Sequence, residues 1–474
     1  MEKLKADFQV TEKEIISIVN KYKEKVVPDV EKRTDYAKGN NPSILERKVP
    51  ANSPDNRIPI SYARRMVNLV TSYLYKPGLI SYATLENADS GAEGYLDKLN
   101  EIFRYNLEPM ETEQIGRQAS IQGVGYELFY GEGVGEVEVN GIVGPASVIP
   151  RFVKVPISQI IPIYNFDIIP KLTHFIRFWT VKDNANEQTK EIEYIDVYDN
   201  TTIYSFSRGG ESGNLAALGE YTHGFNEVPL NVFENNEDMI GDFSCVVPLI
   251  DAYDVLMSDS MNEFDRFAWA YLILKGLMMD EDNVKEIKNK RVISLMNKDD
   301  AIEFLTKDIN HEFLKFMSEW IRGEIHRQSG IPNLDDYKFG TNTSGETLSK
   351  WIYLMELFTD PKESYFKQAL RRRIEIITSY MNLDGDAEDI NIIMNRNMPD
   401  KSMEQAELME KYAPYISKKT LLENFADFVP DAEAEMKQKQ EEEQERAQVN
   451  LDNYERRAEI FGQNNKEEEE EEEE

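Results

Sequence analysis

Residues 242–268 read DFSCVVPLIDAYDVLMSDSMNEFDRFA, and two interleaved patterns in this stretch decide the fold. Val246, Ile250, Tyr253, Met257, Met261, Phe264 and Phe267 recur in steps of three and four, the spacing of one face of an α-helix. Asp251, Asp254, Ser258, Asn262 and Asp265 mark a polar, acidic stripe on the opposite face. A second helix shows the same division, with Ile309, Phe313, Phe316, Met317, Trp320 and Ile321 apolar and Glu312, Lys315, Glu319, Arg322 and His326 polar. Between the two lies an insert in which Tyr271 to Leu274 and Arg291 to Met296 read as strands and Asn283 to Lys290 as a short polar helix. Two helical legs thus carry a small subdomain.

Downstream, residues 340–347 read GTNTSGET, which has the glycine spacing of a phosphate-binding loop but places Glu346 where the lysine should stand. A carboxylate there repels phosphate, and the preceding run Asn333 to Phe339 lacks the continuous apolar stretch of a buried strand. The segment reads instead as a loop entering a helix. Ser344 is a plausible N-cap, Glu346 suits the positive helix end, and Leu348, Trp351, Ile352, Met355, Phe358, Phe366 and Leu370 set a helical face. Pro361 should bend this helix or divide it in two near Asp360. Beyond Pro399, short helices are expected over 402–412, 419–428 and 431–447.

The N-terminal half mixes both classes of element. Helical spacing appears in Ile15 to Tyr22 and in Tyr62, Met66, Leu69, Val70, Tyr73 and Leu74, the latter ending before Pro77-Gly78. Strand runs occupy Val148 to Ile163, Phe175 to Val181 and Ile192 to Tyr198, with turns expected at Gly131 to Gly135 and Asp183 to Asn186. The fold class is therefore α+β.

Composition bounds the rest. The chain has 474 residues, 41% of them hydrophobic, enough for two or three domains with a substantial core. Cys245 stands alone, so no intrachain disulfide forms, and it reads as a buried thiol in a reducing compartment. Four scattered histidines offer no metal cluster, and the most apolar run, Trp269 to Met279, is too short and too interrupted to span a membrane. Net charge is -33, of which residues 431–474 contribute -12, and the closing eight glutamates read as a disordered tail. Duplex DNA carries about one negative charge per 1.7 Å, so a chain this acidic should touch DNA only weakly.

Familiar catalytic patterns fail on inspection. Asn382-Leu383-Asp384-Gly385 resembles the middle of a calcium loop, but Tyr380 and Asn391 occupy positions that should be acidic. Gly123 and Gly125 lack the third glycine of a dinucleotide loop, and Gly131, Gly133 and Gly135 alternate as in a hairpin. Arg371-Arg372-Arg373 reads as a salt-bridged helix surface. The residues predict no catalytic site, no metal and no cofactor.

Several stretches, in order, resemble the portal proteins of tailed bacteriophages, of the long-tailed type associated with Gram-positive hosts. They are Asp55-Asn56-Arg57; Tyr73 to Pro77; Gly123-Val124-Gly125-Tyr126; His223-Gly224-Phe225 with Val228-Pro229; and Asn235-Asn236 with Gly241-Asp242. The series continues through Leu249 to Asp254 with Ser258, Ser344-Gly345-Glu346 with Leu348 and Lys350, Leu370 to Arg373, and Asn395 to Pro399. Thr347 stands where a small alanine is expected.

The resemblance implies a dodecameric, ring-forming portal fold. Its regions would be a wing (1–241), stem helices (242–268 and 308–330), a clip (269–307), a tunnel loop (331–345), the wing's long helix and return (346–398), a crown (399–450) and an acidic tail (451–474). It also implies a virion component at one capsid vertex, assembled in the host cytoplasm, that passes double-stranded DNA during packaging and ejection. Its partners would be other copies of itself, the terminase large subunit, a head-completion adaptor, and the major capsid and scaffolding proteins. Lys338, Gly340, Asn342, Thr343, Ser344 and Gly345 become candidates for DNA contact, and Asp251, Asp254, Ser258, Asn262 and Asp265 for a repulsive channel lining. The competing expectations are a minor head or scaffold protein without a channel, and a nucleotide-driven motor, which Glu346 argues against.

Overall fold

The computed structural model describes residues 4–5, 8–51, 53–85, 91–139, 142–183, 190–209, 214–268, 271–275, 301–305, 311–333 and 345–397, together with 411, 414, 416, 417, 420 and 436–440. The chain divides into two units, residues 1–397 and 398–474, and residues 436–440 of the second are helical. The first unit begins with β1 (Leu4–Lys5), α1 (Glu12–Lys25), α2 (Val27–Lys38), α3 (Pro42–Leu45), α4 (Tyr62–Leu74), β2 (Ile80–Thr84), α5 (Ala92–Asn106) and α6 (Glu108–Gln122). Strands follow: β3 (Val124–Val139), β4 (Ile142–Val155), β5 (Ile160–Tyr164), β6 (Leu172–Asp183), β7 (Lys190–Tyr198), β8 (Thr202–Arg208), β9 (Leu215–Thr222) and β10 (Leu230–Glu234). The last part holds α7 (Val247–Ala268), β11 (Tyr271–Lys275), β12 (Ala301–Leu305), α8 (His311–Ser329), α9 (Gly345–Met381) and β13 (Ile390–Met394).

Alternation in the sequence becomes a six-stranded sheet of order β1-β5-β6-β7-β8-β9. Its β5 to β9 part is an antiparallel meander, and β1 adds in parallel at one edge. Ile161, Ile163, Ile176, Phe178, Ile195 and Val197 bury one face against Ile15 and Val19 of α1. A second sheet, β10-β3-β4, contains a long hairpin that corrects one expectation. Gly131 and Gly133 form no turn but pair across the ladder with Pro150 and Val148, and the strands reverse between Val139 and Ile142. At Gly131 a side chain is excluded by proximity, because a Cβ would lie 2.5 Å from the Tyr380 hydroxyl oxygen. In the insert, β11 pairs antiparallel with β12, so the partner of Tyr271 to Lys275 is Ala301 to Leu305. The expected elements at 283–290 and 291–296 lie outside the described residues.

The main core gathers around α4 and α9. Met66, Val67, Val70, Tyr73 and Leu74 of α4 meet Met355, Phe366, Leu370, Ile374 and Ile377 of α9, and Phe233 joins them from β10. Each fully buried aliphatic or aromatic side chain of this kind contributes about 1.5–3 kcal/mol. Pro361 does not divide α9, which runs unbroken for 37 residues, about 55 Å at the usual rise. The loss of one backbone hydrogen bond is offset by side chains that pin the helix on both sides of the proline. Thr359 is buried and donates to the Met355 carbonyl at 2.8 Å. Lys362 is buried and meets the Asp242 carboxylate and Asn235 Oδ1, the latter at 2.8 Å.

Only part of the arginine run lies on the surface. Arg372 pairs with Glu227 and Glu375, as a surface residue should, but Arg373 is completely buried. Its Nε reaches the two oxygens of Glu127 at 3.0 and 3.2 Å, and its Nη1 reaches Glu108 Oε1 and Thr112 Oγ1, each at 2.8 Å. Asn231 Nδ2 donates to Glu127 at 3.2 Å, and the Tyr82 hydroxyl donates to Glu108 at 2.8 Å. Burial pushes the Glu127 carboxyl up, with Arg373 opposing that shift. Replacing Arg373 by Met leaves two carboxylates buried without their cation, and the expected loss is about 3–5 kcal/mol in chemical denaturation. Adding Glu127→Leu to that variant should recover part of the loss. Additive losses in the double variant would mean that the pair is not coupled.

Candidate functional site

The polar stripe of α7 lies in steps of three and four residues, so its five side chains project in one row. The row does not face open solvent, because α3 and the irregular chain that follows it as far as Ile60 lie along it. At the first rung, Asp251 accepts from the Tyr36 hydroxyl and, at 2.9 Å, from Ser43 Oγ. Asp254 accepts from the Ile60 amide at 2.8 Å and from Asn41 Nδ2. Ser258 Oγ accepts from the Ile58 amide at 3.0 Å, and Asn262 Oδ1 from the Asn56 amide at 2.7 Å. Asn56 Nδ2 also reaches Asp265, and Arg47 bridges to Asp259 at 2.9 Å. Three backbone N–H groups of a strap with little helix or sheet ladder of its own thus find acceptors on one helix.

This corrects the expected exposure of the stripe. Asp254 and Ser258 are 0% exposed and Asn262 is 5% exposed, so these three cannot line a channel while the strap is in place. Asp251 and Asp265 are half-buried. Helical periodicity identifies a polar face but not what covers it. Burial raises the Asp254 carboxyl to about 6, and the Asn41 and Ile60 donors only partly oppose that rise. Asn41 Oδ1 is buried without a partner among the described residues.

Ile250 of α7 is buried in the core, but other large apolar side chains of this helix reach solvent. Val255, Met261 and Phe264 are exposed, and so are Phe313, Phe316 and Trp320 on α8 and Tyr353, Leu354 and Leu357 on α9. Ile321 and Ile325 hold α8 to the core, and Tyr62 meets both Tyr253 and His326 edge-on, with centroids 5.4 and 5.9 Å away. The base of the following loop is fixed, for Ile331 is buried and its carbonyl lies 3.0 Å from His326 Nδ1. Lys338, Gly340, Asn342, Thr343 and Ser344 lie outside the described residues, and Gly345 is the first residue of α9. The expected helices at 402–412, 419–428 and 431–447 lie largely outside them too, and the tail at 451–474 entirely so. Cys245, expected to be buried, is exposed.

Sequence reasoning missed the polar joints of the fold. Asn235 and Asp242 receive Lys362, Ser120 donates to Asp242 at 2.6 Å, and Arg396 binds Glu356, Asp360 and Glu363. Gly123 caps α6 at φ +90°, where a Cβ would lie 2.0 Å from the Met239 carbonyl oxygen. The available signal was the series of short polar and glycine motifs, several of which fall on these joints. Among the described residues no group of three His, Cys, Asp or Glu could hold a metal, and no helix is long and apolar enough to cross a membrane.

A family model described as "Phage portal protein, SPP1 Gp6-like" matches residues 16–449. The portal protein of Clostridium phage phiCD119 is 23% identical over 398 residues, covering 81% of this chain and 85% of that protein. The portal protein of Bacillus phage SPP1 is 23% identical over 252 residues, half of this chain and 49% of that protein. A solved structure described as "Virion of native gene transfer agent (GTA) particle" aligns over 83% of this chain and 91% of its own, at 13% identity and a TM-score of 0.43.

The strap makes a pH prediction. Because the folded Asp254 titrates near 6 and an unfolded one near 3.8, its contribution is fully present below about pH 4 and is lost as pH rises through 6. Allowing for screening, the change should be of order 1–2 kcal/mol. Asp254→Asn, which resembles the protonated acid, should flatten thermal stability between pH 4 and 7. Asp254→Ala should lose about 1–3 kcal/mol across the range, because the strap donors lose their acceptor. A wild-type pH profile in Asp254→Asn would assign the titration to another group.

Proposed function

We propose a working arrangement for this chain from the premise that it belongs to the phage portal protein family, SPP1 Gp6-like. It is a portal protein and a component of the virion. The arrangement is a closed ring, dodecameric by analogy, set at one capsid vertex, with double-stranded DNA passing through its centre in both directions. We read the chain as a structural component rather than an enzyme.

The observation that carries this reading is the set of exposed large apolar side chains on α7, α8 and α9. Val255, Met261, Phe264, Phe316, Trp320, Tyr353 and Leu357 are more than a solitary surface residue here and there. Neighbouring copies are the cover we assign to them, which makes α7 and α8 the stem helices (242–268 and 308–330). Residues 1–241 then form the wing, 269–307 the clip, 346–398 the long helix and return of the wing, 399–450 the crown and 451–474 the acidic tail. The clip would dock the terminase large subunit and later the head-completion adaptor. The major capsid and scaffolding proteins would surround the ring.

Contact with DNA is proposed to be weak. A ring built from chains of net charge -33 repels a polyanion over most of its surface. With Asp254, Ser258 and Asn262 under the strap, only Asp251 and Asp265 of the stripe remain as lining candidates. Lys338, Asn342, Thr343 and Ser344 would touch phosphates reversibly, with Gly340 supplying backbone freedom and Gly345 opening α9 behind them.

Electron microscopy of the purified chain should show rings with a central opening. Phe316→Asp with Trp320→Asp should abolish rings while leaving the thermal midpoint of the chain nearly unchanged, because both side chains are exposed. Rings that survive this pair would remove α8 from the contact, and particles without an opening would favour a structural protein that has no channel. Replacing Gly340 and Gly345 by proline should stop packaging with rings intact, and normal packaging would reduce the loop to a connector.

A further inference from the structure

The six-stranded sheet carries two apolar patches that the stem helices do not explain. Between β5 and β6 the chain makes a tight reversal at residues 165–171. The Asn165 amide donates to the Lys171 carbonyl at 3.0 Å, the Lys171 amide donates to Asn165 Oδ1 at 2.8 Å, and Asn165 Nδ2 holds Asp167. This closed turn presents Phe166, Ile168 and Ile169, which are 68%, 102% and 77% exposed. At the other end of the sheet, β9 has one strand neighbour among the described residues. Leu218 and Tyr221 are 50% and 56% exposed, and Ala216, Ala217, Glu220 and Thr222 are exposed as well. Successive residues of a strand point to opposite faces, so neither face of the outer part of β9 is covered.

Strand order and direction relate the two patches. β9 lies four strands from β5, roughly 19 Å across the sheet. The meander alternates direction at each step, so β5 and β9 run the same way. Tyr164 and Thr222, their last residues, therefore lie at the same end of the sheet. The turn projects past Tyr164 on one flank, and the exposed part of β9 runs up to Thr222 on the other, with Tyr221 level with Pro162, so the patches lie toward the same end of the sheet on opposite flanks. A cyclic assembly joins two different surfaces of one chain in a head-to-tail contact, and two patches on opposite flanks of one sheet are a pair of that kind. Lys171 at the base of the turn and Glu220 on β9 are both exposed and supply opposite charges.

We propose that the turn at residues 165–171 of one copy packs against the outer part of β9 of the next, forming a second contact between neighbours. The occupant of each patch is another copy of this chain. This inference rests on the ring reading above and adds to it a specific pair of surfaces.

Single-cysteine chemistry in assembled rings tests it. In a Cys245→Ser background, which removes the sole cysteine, Ile168→Cys, Leu218→Cys and Tyr221→Cys are made separately in the full chain. Rings co-assembled from the Ile168→Cys chain and either β9 variant should give a covalent dimer with a short bismaleimide, whereas rings of any one variant alone should not. The doubly substituted chain should give a ladder of covalent oligomers, because the two positions are too far apart to join within one copy. Normal rings that show no dimer in either mixture would overturn the inference and leave the ring reading intact. Dimers from Ile168→Cys rings alone would also overturn it, since the turns would then meet one another. If no ring forms under any condition, both readings fall.

Discussion

A single buried guanidinium holds the layers of this fold in register. Arg373 leaves α9 and enters a space between α6 and β3, where Glu108, Thr112 and Glu127 receive it. A charge in such a place is tolerated only when nearly every donor finds an acceptor, and the planar fork of arginine meets that demand better than a lysine could. Lys362 lies eleven residues earlier on the same helix. At 100° per residue this is three turns and about 20°, so both cations project from nearly the same side, some 16 Å apart. One meets the sheet and α6, and the other meets Asn235 and Asp242 just before α7. The long helix is thereby fixed in rotation as well as position. Greasy contacts alone would permit it to slide or turn by a residue, since Leu, Ile and Met fill similar space. Ion pairs with directional partners remove that freedom.

This division between filling and fixing explains what could be read in advance. Elements defined by a local period were legible, and α1, α4, α7, α8 and the strands between Ile160 and Tyr198 appear where apolar spacing places them. The errors share a different property. Gly131 and Gly133 read as a turn because glycine is common in turns, yet at Gly131 the deciding neighbour is Tyr380, almost 250 residues away in sequence. Arg373 read as surface because arginine usually is, and its partners are 246 and 265 residues distant. A division at Pro361, one of the two outcomes its local cost suggested, does not occur, and the compensation from Lys362 depends on Asp242. In each case a local propensity was overruled by a contact far along the chain. The resemblance motifs were better guides, since Asn235, Asp242, Arg373 and Arg396 all belong to such contacts.

The candidate site shows the same effect with functional consequences. A helix with one acidic and one apolar face normally buries the apolar side and wets the other. In α7 the polar row is covered by residues 41–60, while Val255, Met261 and Phe264 point outward. The covering strap is mostly neutral at the contact, with Arg47 its charged exception, so the carboxylates gain hydrogen bonds but little opposing charge. Burial without a cation raises the Asp254 carboxyl, the most deeply covered acid of the row.

That inversion constrains what the helix can be for. Each exposed apolar side chain on α7 forgoes a favourable transfer from water of about 25 cal/mol per Å² for as long as it remains uncovered. A monomer could seek cover for one of these side chains by rotating the helix, at the cost of exposing Ile250, which now lies in the core. The strap forbids it, because such a turn would strip acceptors from the Asn56, Ile58 and Ile60 amides at once. Backbone donors deprived of partners cost more than the apolar exposure they would cure. The polar contacts inside one chain therefore hold the rotation of α7, and Val255, Met261 and Phe264 stay outside, where another surface can cover them. The strap thus fixes how α7 is turned, and the large apolar side chains that it leaves exposed have chemistry suited to a protein neighbour rather than to a phosphate backbone.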